Sequence, residues 1–64
     1  MAISLKAARV DVGLTQSEAA QKLKISKGTL ANYEKYRTVP DIEKSKEIAA
    51  LYKREVNELI FFKK

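Results

Sequence analysis

Apolar side chains at the start of the chain recur at helical spacing. Leu5, Ala8 and Val12 lie at positions i, i+3 and i+7, which places them on one face of a helix. Gly13 follows and can end a helix in a left-handed turn. The pattern predicts a first helix near residues 3–12.

Two further helices are predicted from residues that begin helices. Residues 15–18 have the capping-box sequence Thr-Gln-Ser-Glu. In a capping box the Thr hydroxyl accepts a hydrogen bond from the Glu backbone N–H, and the Glu carboxylate accepts one from the Thr backbone N–H. We expect a second helix from there to about Lys24. Ser26 offers the next helix start, so a third helix is expected near residues 27–35.

The third helix has two different faces. Leu30, Tyr33 and Glu34 fall on one side of it. The opposite side carries small and polar residues, namely Gly28, Ala31, Asn32 and Lys35. This second side is expected to face outward.

A turn and a fourth helix follow. Pro40 disfavours a helical residue before it, which makes residues 38–41 a linker turn in which Asp41 can cap a helix over about 41–52. The inward stripe expected for this helix consists of Ile42, Ser45, Ile48, Ala49 and Tyr52. The residues expected to face water are Lys44, Lys46, Glu47 and Lys53.

The last segment, Glu55–Ile60, is predicted to be a short fifth helix because Val56, Leu59 and Ile60 repeat at i, i+3 and i+4. No segment alternates as a half-buried strand does. The prediction is therefore an all-α, compact domain of five helices and no strands, spanning residues 1–64.

Composition narrows the function. The 64 residues contain no Cys and no His, which excludes the usual zinc ligand sets, thiol chemistry and His-based catalysis. No phosphate-binding Gly-rich loop and no plausible buried acid pair remain, so we expect no enzyme, no cofactor and no small-molecule substrate. A net charge of +5, from 13 basic and 8 acidic residues, favours a polyanionic partner, and nucleic acid is the first candidate.

No segment predicts membrane insertion. The N-terminal residues lack a long apolar stretch, and Leu59–Phe62 is only a four-residue apolar run. We therefore expect a cytoplasmic protein with no membrane partner.

Two short helices joined by a three- or four-residue turn form a helix-turn-helix arrangement. Leu14–Ala20 and Ile25–Glu34 resemble the DNA-binding domains of the lambda-repressor/Cro (Xre-type) family, and similar positions extend to the segment Val56–Leu59. This resemblance implies a five-helix fold and transcription control by a homodimer on double-stranded DNA, at a short, roughly palindromic operator. It also implies a protein of bacteria, plasmids or phages.

The resemblance implies four base-reading positions on the third helix: Lys27, Gly28, Thr29 and Asn32. Lys can donate to guanine, Asn can pair with adenine, and Thr can contact thymine. Gly28 has no side chain that could contact a base. Glycine there either lets the helix backbone approach the DNA closely or is merely tolerated at this position. A solvated helix face remains the alternative for the polar residues.

Phosphate contacts are implied at the start of the second helix and after the third. Gln16 matches the position at which family members bond a phosphate, the alternative being an ordinary first-turn residue. Lys35, Tyr36, Arg37 and Thr38 match the stretch that lies along the DNA backbone, the alternative being a solvated basic loop. Tyr36 stands where the family often has Gly in a left-handed turn, which Tyr would adopt only with strain, so we expect a longer helix or a different turn.

Two further roles follow from matched positions. Arg9 and Glu34 are expected to form a buried ion pair between the first and third helices, because an unpaired carboxylate on an inward face is costly. Leu59 is expected to reach the core. Together with Phe61 and Phe62 it forms an apolar patch that suggests a dimer interface. The alternative is that both rings fold back onto their own subunit.

The leading hypothesis is a sequence-specific DNA-binding regulator, a repressor or Cro-like protein without catalysis. The alternative is an antitoxin-type interaction module on the same fold, with Leu59–Phe62 as its contact.

Overall fold

A computed structural model describes residues 2–62 as four short α-helices with a small sheet. The helices are α1 (Leu5–Asp11), α2 (Gln16–Leu23), α3 (Lys27–Glu34) and α4 (Ile42–Leu51). The strands are β1 (Ile3–Ser4) and β2 (Leu59–Ile60), and a 3₁₀ turn (Val56–Glu58) precedes β2. Across residues 2–62, no helix is long and apolar enough to cross a membrane.

Each helix begins after a residue whose side chain accepts a hydrogen bond from a backbone N–H in the first turn. The capping oxygens lie 2.8–3.1 Å from the amide nitrogen three residues on, and they belong to Ser4, Thr15, Ser26 and Asp41. The sequence predicts the last three of these caps. Ser4 was missed because it falls inside the predicted first helix, whereas Ile3 and Ser4 are extended in β1.

The capping box of α2 is present as predicted. Glu18 N donates to Thr15 Oγ1 at 3.1 Å, and Thr15 N donates to Glu18 Oε1 at 2.9 Å. The backbone and side-chain hydrogen bonds of Thr15 lower the pKa of the Glu18 carboxyl. Helix α2, which carries Gln16, therefore has a well-defined start.

All four α-helices end in the same kind of turn, which contains a residue with a left-handed backbone one position beyond α2 and two positions beyond α1, α3 and α4. These residues are Gly13, Lys24, Tyr36 and Lys53, with φ of 75°, 59°, 61° and 57°. The next amide donates back across the turn in each case, at 2.9–3.2 Å: Leu14 to Arg9, Ile25 to Ala20, Arg37 to Asn32, and Arg54 to Ala49. This is the Schellman pattern, and three of its four left-handed positions hold residues with a Cβ atom.

The core lies between the helices and is closed by the C-terminal segment. Its buried apolar residues are Leu5, Ala8, Ala19, Ala20, Leu23, Leu30, Ile48, Ala49, Tyr52, Leu59 and Phe61. The inward stripe predicted for α4 is correct at Ser45, Ile48, Ala49 and Tyr52. It is wrong at Ile42, which is 72% exposed because it is the first residue of α4 and no neighbouring element covers it.

The predicted fifth helix and the predicted absence of strands are both wrong. Val56–Glu58 makes a single 3₁₀ turn, in which Glu58 N donates to Glu55 O at 2.9 Å. The chain then extends at Leu59, with φ −102° and ψ 143°, and pairs in parallel with β1, Ile3 opposite Leu59 and Ser4 opposite Ile60. Pairing with a distant strand replaces the local helical bonds that the spacing suggested.

Candidate nucleic-acid interface

Helices α2 and α3 form a helix-turn-helix unit. Helix α2 ends at Leu23, and α3 begins at Lys27 after a three-residue turn. Left-handed Lys24 reverses the chain, and Ser26 caps α3. Leu23 and Leu30 are buried where the helices pack, which holds α3 in a fixed orientation with one face toward solvent.

The outer face of α3 carries the four predicted base-reading residues. Lys27 and Gly28 are exposed, whereas Thr29 and Asn32 are half-buried. The Thr29 hydroxyl lies 2.8 Å from Ser26 Oγ, so it takes part in the helix cap. A Cβ atom built on Gly28 would meet only Ser26 Oγ, at 3.9 Å, so packing within the domain does not require glycine there.

Arg9 and Glu34 form the expected ion pair between α1 and α3. Arg9 Nε donates to Glu34 Oε2 at 2.7 Å and Nη2 to Oε1 at 3.3 Å, with side chains only 10% and 6% exposed. Arg9 Nη1 also donates to Leu14 O at 2.9 Å. The pair thereby joins α1, the turn after it, and α3.

Gln16 is part of the same network, which sequence reasoning did not predict. Its Nε2 donates to Glu34 Oε1 at 3.1 Å. One amide N–H of Gln16 is therefore used inside the protein, while the second N–H and the carbonyl oxygen stay available. The buried pair thus orients the residue proposed to contact a phosphate.

Tyr52 of the core is electrostatically coupled to this pair. Burial and the nearby negative charge of Glu34 raise the pKa of Tyr52 to about 12, with Arg9 acting in the opposite direction. The Tyr52 hydroxyl is buried and has no hydrogen-bond partner among residues 2–62.

A groove opens beside the network, with a volume of about 330 Å³. We call it the lysine groove. Its charged and polar lining residues are Lys6, Arg9, Gln16, Lys27, Glu34 and Lys35. Four cations thus surround one carboxylate, and that carboxylate is already bonded to Arg9 and Gln16. The groove is an anion-attracting surface that runs along α3 from Lys27 to Lys35.

The segment after α3 differs from expectation at Tyr36. The helix ends at Glu34 and does not run on, and Tyr36 itself occupies the left-handed position with φ 61°. The turn is held by Tyr36 N donating to Tyr33 O at 3.1 Å and Arg37 N to Asn32 O at 2.9 Å. These bonds offset the cost of a left-handed Tyr and leave Tyr36 half-buried between two exposed basic residues, Lys35 and Arg37.

The expected apolar patch at the C-terminal end is smaller than the sequence suggested. Leu59 reaches the core as expected, and Phe61 is also buried, at 7% and 8% exposure. Phe62 is 61% exposed. Phe61 and Phe62 follow β2, and burial alternates along Leu59–Phe62, so that one ring faces the core and the other faces solvent.

Comparison with known proteins gives a family for this chain. A family model described as helix-turn-helix matches residues 5–59. The HTH-type transcriptional regulator ImmR of Bacillus subtilis (strain 168) is 44% identical over 48 residues. The match covers 75% of this chain but 38% of ImmR, so the chain spans well under half the length of that relative. No solved structure matches the chain.

Proposed function

Because the chain belongs to the helix-turn-helix family, we propose that it is a sequence-specific DNA-binding regulator of transcription. The observation that carries the proposal is the packing of α2 against α3 beside the lysine groove, which presents a small polar helix face next to concentrated positive charge. A helix of this kind fits the major groove of B-DNA, which is about 12 Å wide.

The base-reading side chains are proposed to be Lys27, Thr29 and Asn32. Lys27 can donate to guanine O6 or N7, and Asn32 can make a bidentate pair with adenine. The Thr29 methyl can contact thymine while its hydroxyl stays in the helix cap. Gly28 leaves space for the α3 backbone to approach the duplex closely.

The phosphate contacts are proposed to lie on both sides of α3. Gln16, oriented by Glu34, donates its second N–H to one phosphate at the positive end of α2. Lys35, Tyr36, Arg37 and Thr38 follow the backbone beyond α3. These contacts position the helix and supply the salt-dependent part of the affinity.

The regulator is proposed to be a repressor that occupies its operator as a homodimer. Two copies on opposite halves of a palindrome would place their α3 helices about 34 Å apart, in successive major grooves. The described residues extend 26 Å along their longest axis, so two domains can lie side by side on one face of the duplex at this spacing. Exposed Phe62 is the proposed contact between them, with buried Leu59 and Phe61 supporting it from within.

The test is selection from a randomised duplex pool, followed by fluorescence-anisotropy titration of the enriched and a scrambled duplex across a salt series. We expect a preference of about a thousandfold or more at physiological salt. A two-fold symmetric consensus with half-site centres about 10 base pairs apart supports the dimer. Equal, steeply salt-dependent binding to both duplexes would overturn sequence specificity, and a single asymmetric half-site would overturn the dimer.

Repression needs its own assay. A reporter driven by a promoter that overlaps the selected site should lose expression when the protein is supplied, because the bound domain excludes polymerase. An Asn32→Ala variant is the matched control, since it keeps the fold and charge but loses the proposed base contact. Increased reporter expression would show activation and overturn the repressor assignment.

A further inference from the structure

Lys6 lies on α1, outside the helix-turn-helix unit, yet its side chain lines the lysine groove with Gln16, Lys27 and Lys35. The groove is therefore built from α1 as well as from α2, α3 and the residue after α3. No motif in the sequence marked Lys6, because its position depends on how α1 packs against α3.

The groove lysines have no local partner for their charge. Among the ion pairs of residues 2–62, none includes Lys6, Lys27 or Lys35. The single carboxylate of the groove belongs to Glu34, which is 6% exposed and already accepts from Arg9 and Gln16. An anion from outside the domain is the counter-charge that fits this site.

Lys6 also lies where a lysine disfavours its own helix. It is the second residue of α1, close to the positive end of the helix dipole, where acidic residues are favoured. Helices α2 and α4 follow that preference with Glu18 and Glu43. Helices α1 and α3 have no acid in the first turn, and these two helices carry Lys6 and Lys27 into the groove.

We propose that Lys6 is a DNA-backbone contact, which makes α1 a third element of the interface. The lysine binds a phosphate of the strand that passes Gln16, and it contributes affinity without reading sequence. This inference rests on the proposed function, because the anion it assigns to the groove is the DNA backbone.

The test compares Lys6→Gln with Lys46→Gln. Lys46 is an exposed α4 lysine that lies outside the groove, so the two variants have equal net charge. Each is titrated by fluorescence anisotropy against the selected duplex and its scrambled partner between 50 and 200 mM salt. For Lys6→Gln we expect the negative slope of log K against log salt to become shallower by about 0.9 per bound copy. The affinity ratio of wild type to variant then shrinks about 3.5-fold per bound copy over that range.

The same loss should occur on both duplexes, since a phosphate contact carries no sequence information. The melting temperature of Lys6→Gln should equal or exceed that of the wild type, because the unfavourable charge at the start of α1 is gone. Lys46→Gln should leave the salt slope within about 0.2 of the wild-type value, because its charge does not meet a phosphate.

Two results would overturn the inference while leaving the proposed function intact. One is an equal salt slope for Lys6→Gln and Lys46→Gln when the wild type binds DNA. The other is a lower melting temperature with weaker binding but an unchanged salt slope, which means that Lys6 supports the fold. If the wild type binds neither duplex, the proposed function and the inference fail together.

Discussion

Replacing Glu34 by Ala leaves Arg9 buried without its counter-charge. Two hydrogen bonds from Arg9, at 2.7 and 3.3 Å, are lost, and Gln16 loses its acceptor at 3.1 Å. Breaking a buried pair by removing one partner typically costs about 3–5 kcal/mol. Arg9 keeps its bond to Leu14 O at 2.9 Å, so we expect the lower end, about 3 kcal/mol.

Urea and thermal denaturation measure this loss directly. A domain of this size has a free energy of unfolding of roughly 3–10 kcal/mol, so Glu34→Ala removes a large share of it. An osmolyte such as trimethylamine N-oxide keeps the variant folded for measurement. The double variant Arg9→Met with Glu34→Leu replaces the pair by apolar side chains and should recover to within about 1 kcal/mol of the wild type.

The surface pair Arg54–Asp11 provides the control. Its atoms are 2.6 Å apart, but the side chains are 31% and 61% exposed, so Arg54→Ala should cost under about 1 kcal/mol. If Glu34→Ala costs no more than Arg54→Ala, the reasoning from burial is refuted. If the double variant is as unstable as Glu34→Ala, the cost does not come from stranded charge.

Further outcomes are expected for binding, backbone strain and pH. Asn32→Ala should lose about 1–3 kcal/mol of binding free energy at one base position, whereas Arg37→Ala should weaken binding to all duplexes similarly. Equal losses on selected and scrambled DNA for Asn32→Ala would refute its base-reading role. Lys53→Gly should raise the free energy of unfolding by about 1 kcal/mol, because glycine adopts a left-handed backbone without strain, and it should leave DNA affinity unchanged. Tyr36→Gly should weaken DNA binding. Melting curves measure the first effect and fluorescence anisotropy the second, and an unchanged affinity for Tyr36→Gly would count against a phosphate contact by Tyr36. The lowered pKa of Glu18 predicts a contribution to stability that is present above the ordinary carboxyl pKa of 4.5 and is lost as pH falls through the lower pKa of the folded state. Glu18→Gln should therefore show a smaller fall in melting temperature in acid than the wild type. An identical fall for both proteins would contradict this role of Glu18.

The helix-turn-helix unit was predictable because its determinants are local. Thr15, Glu18 and Ser26 each bond to a residue three positions away, and the structure has all three of these hydrogen bonds. The pairing of Arg9 with Glu34 was implied by the family resemblance, and the cost of an unpaired buried carboxylate supported it. Local hydrogen bonding predicted the helix starts, whereas the choice of Arg9 as the partner depended on the resemblance.

The remaining features depend on packing between distant segments. The left-handed turns at Lys24 and Lys53 carry no sequence signal, and the one at Tyr36 was indicated only by the glycine that the family often has there. The hydrogen bonds and contacts of the turns outweigh a backbone preference of about 1–2 kcal/mol. Lys6 and Gln16 line the same groove only when α1, α2 and α3 are assembled. The spacing of Leu59 and its neighbours suited a helix over six residues, too few to separate it from a strand that pairs with the other end of the chain.

The parallel pairing of β1 with β2 has a consequence for the order in which the domain assembles. Ile3 and Leu59 are 56 positions apart, whereas the helix-turn-helix contacts close loops of about 10 residues. Closing the longer loop costs about 1.5 kcal/mol more in chain entropy, and only two residues on each strand repay it. The sheet should therefore form last and open first, so that the amides of β1 and β2 exchange hydrogen faster than those of α2 and α3. Leu59 and Phe61 leave the core in such an opening, while the helix-turn-helix unit stays assembled.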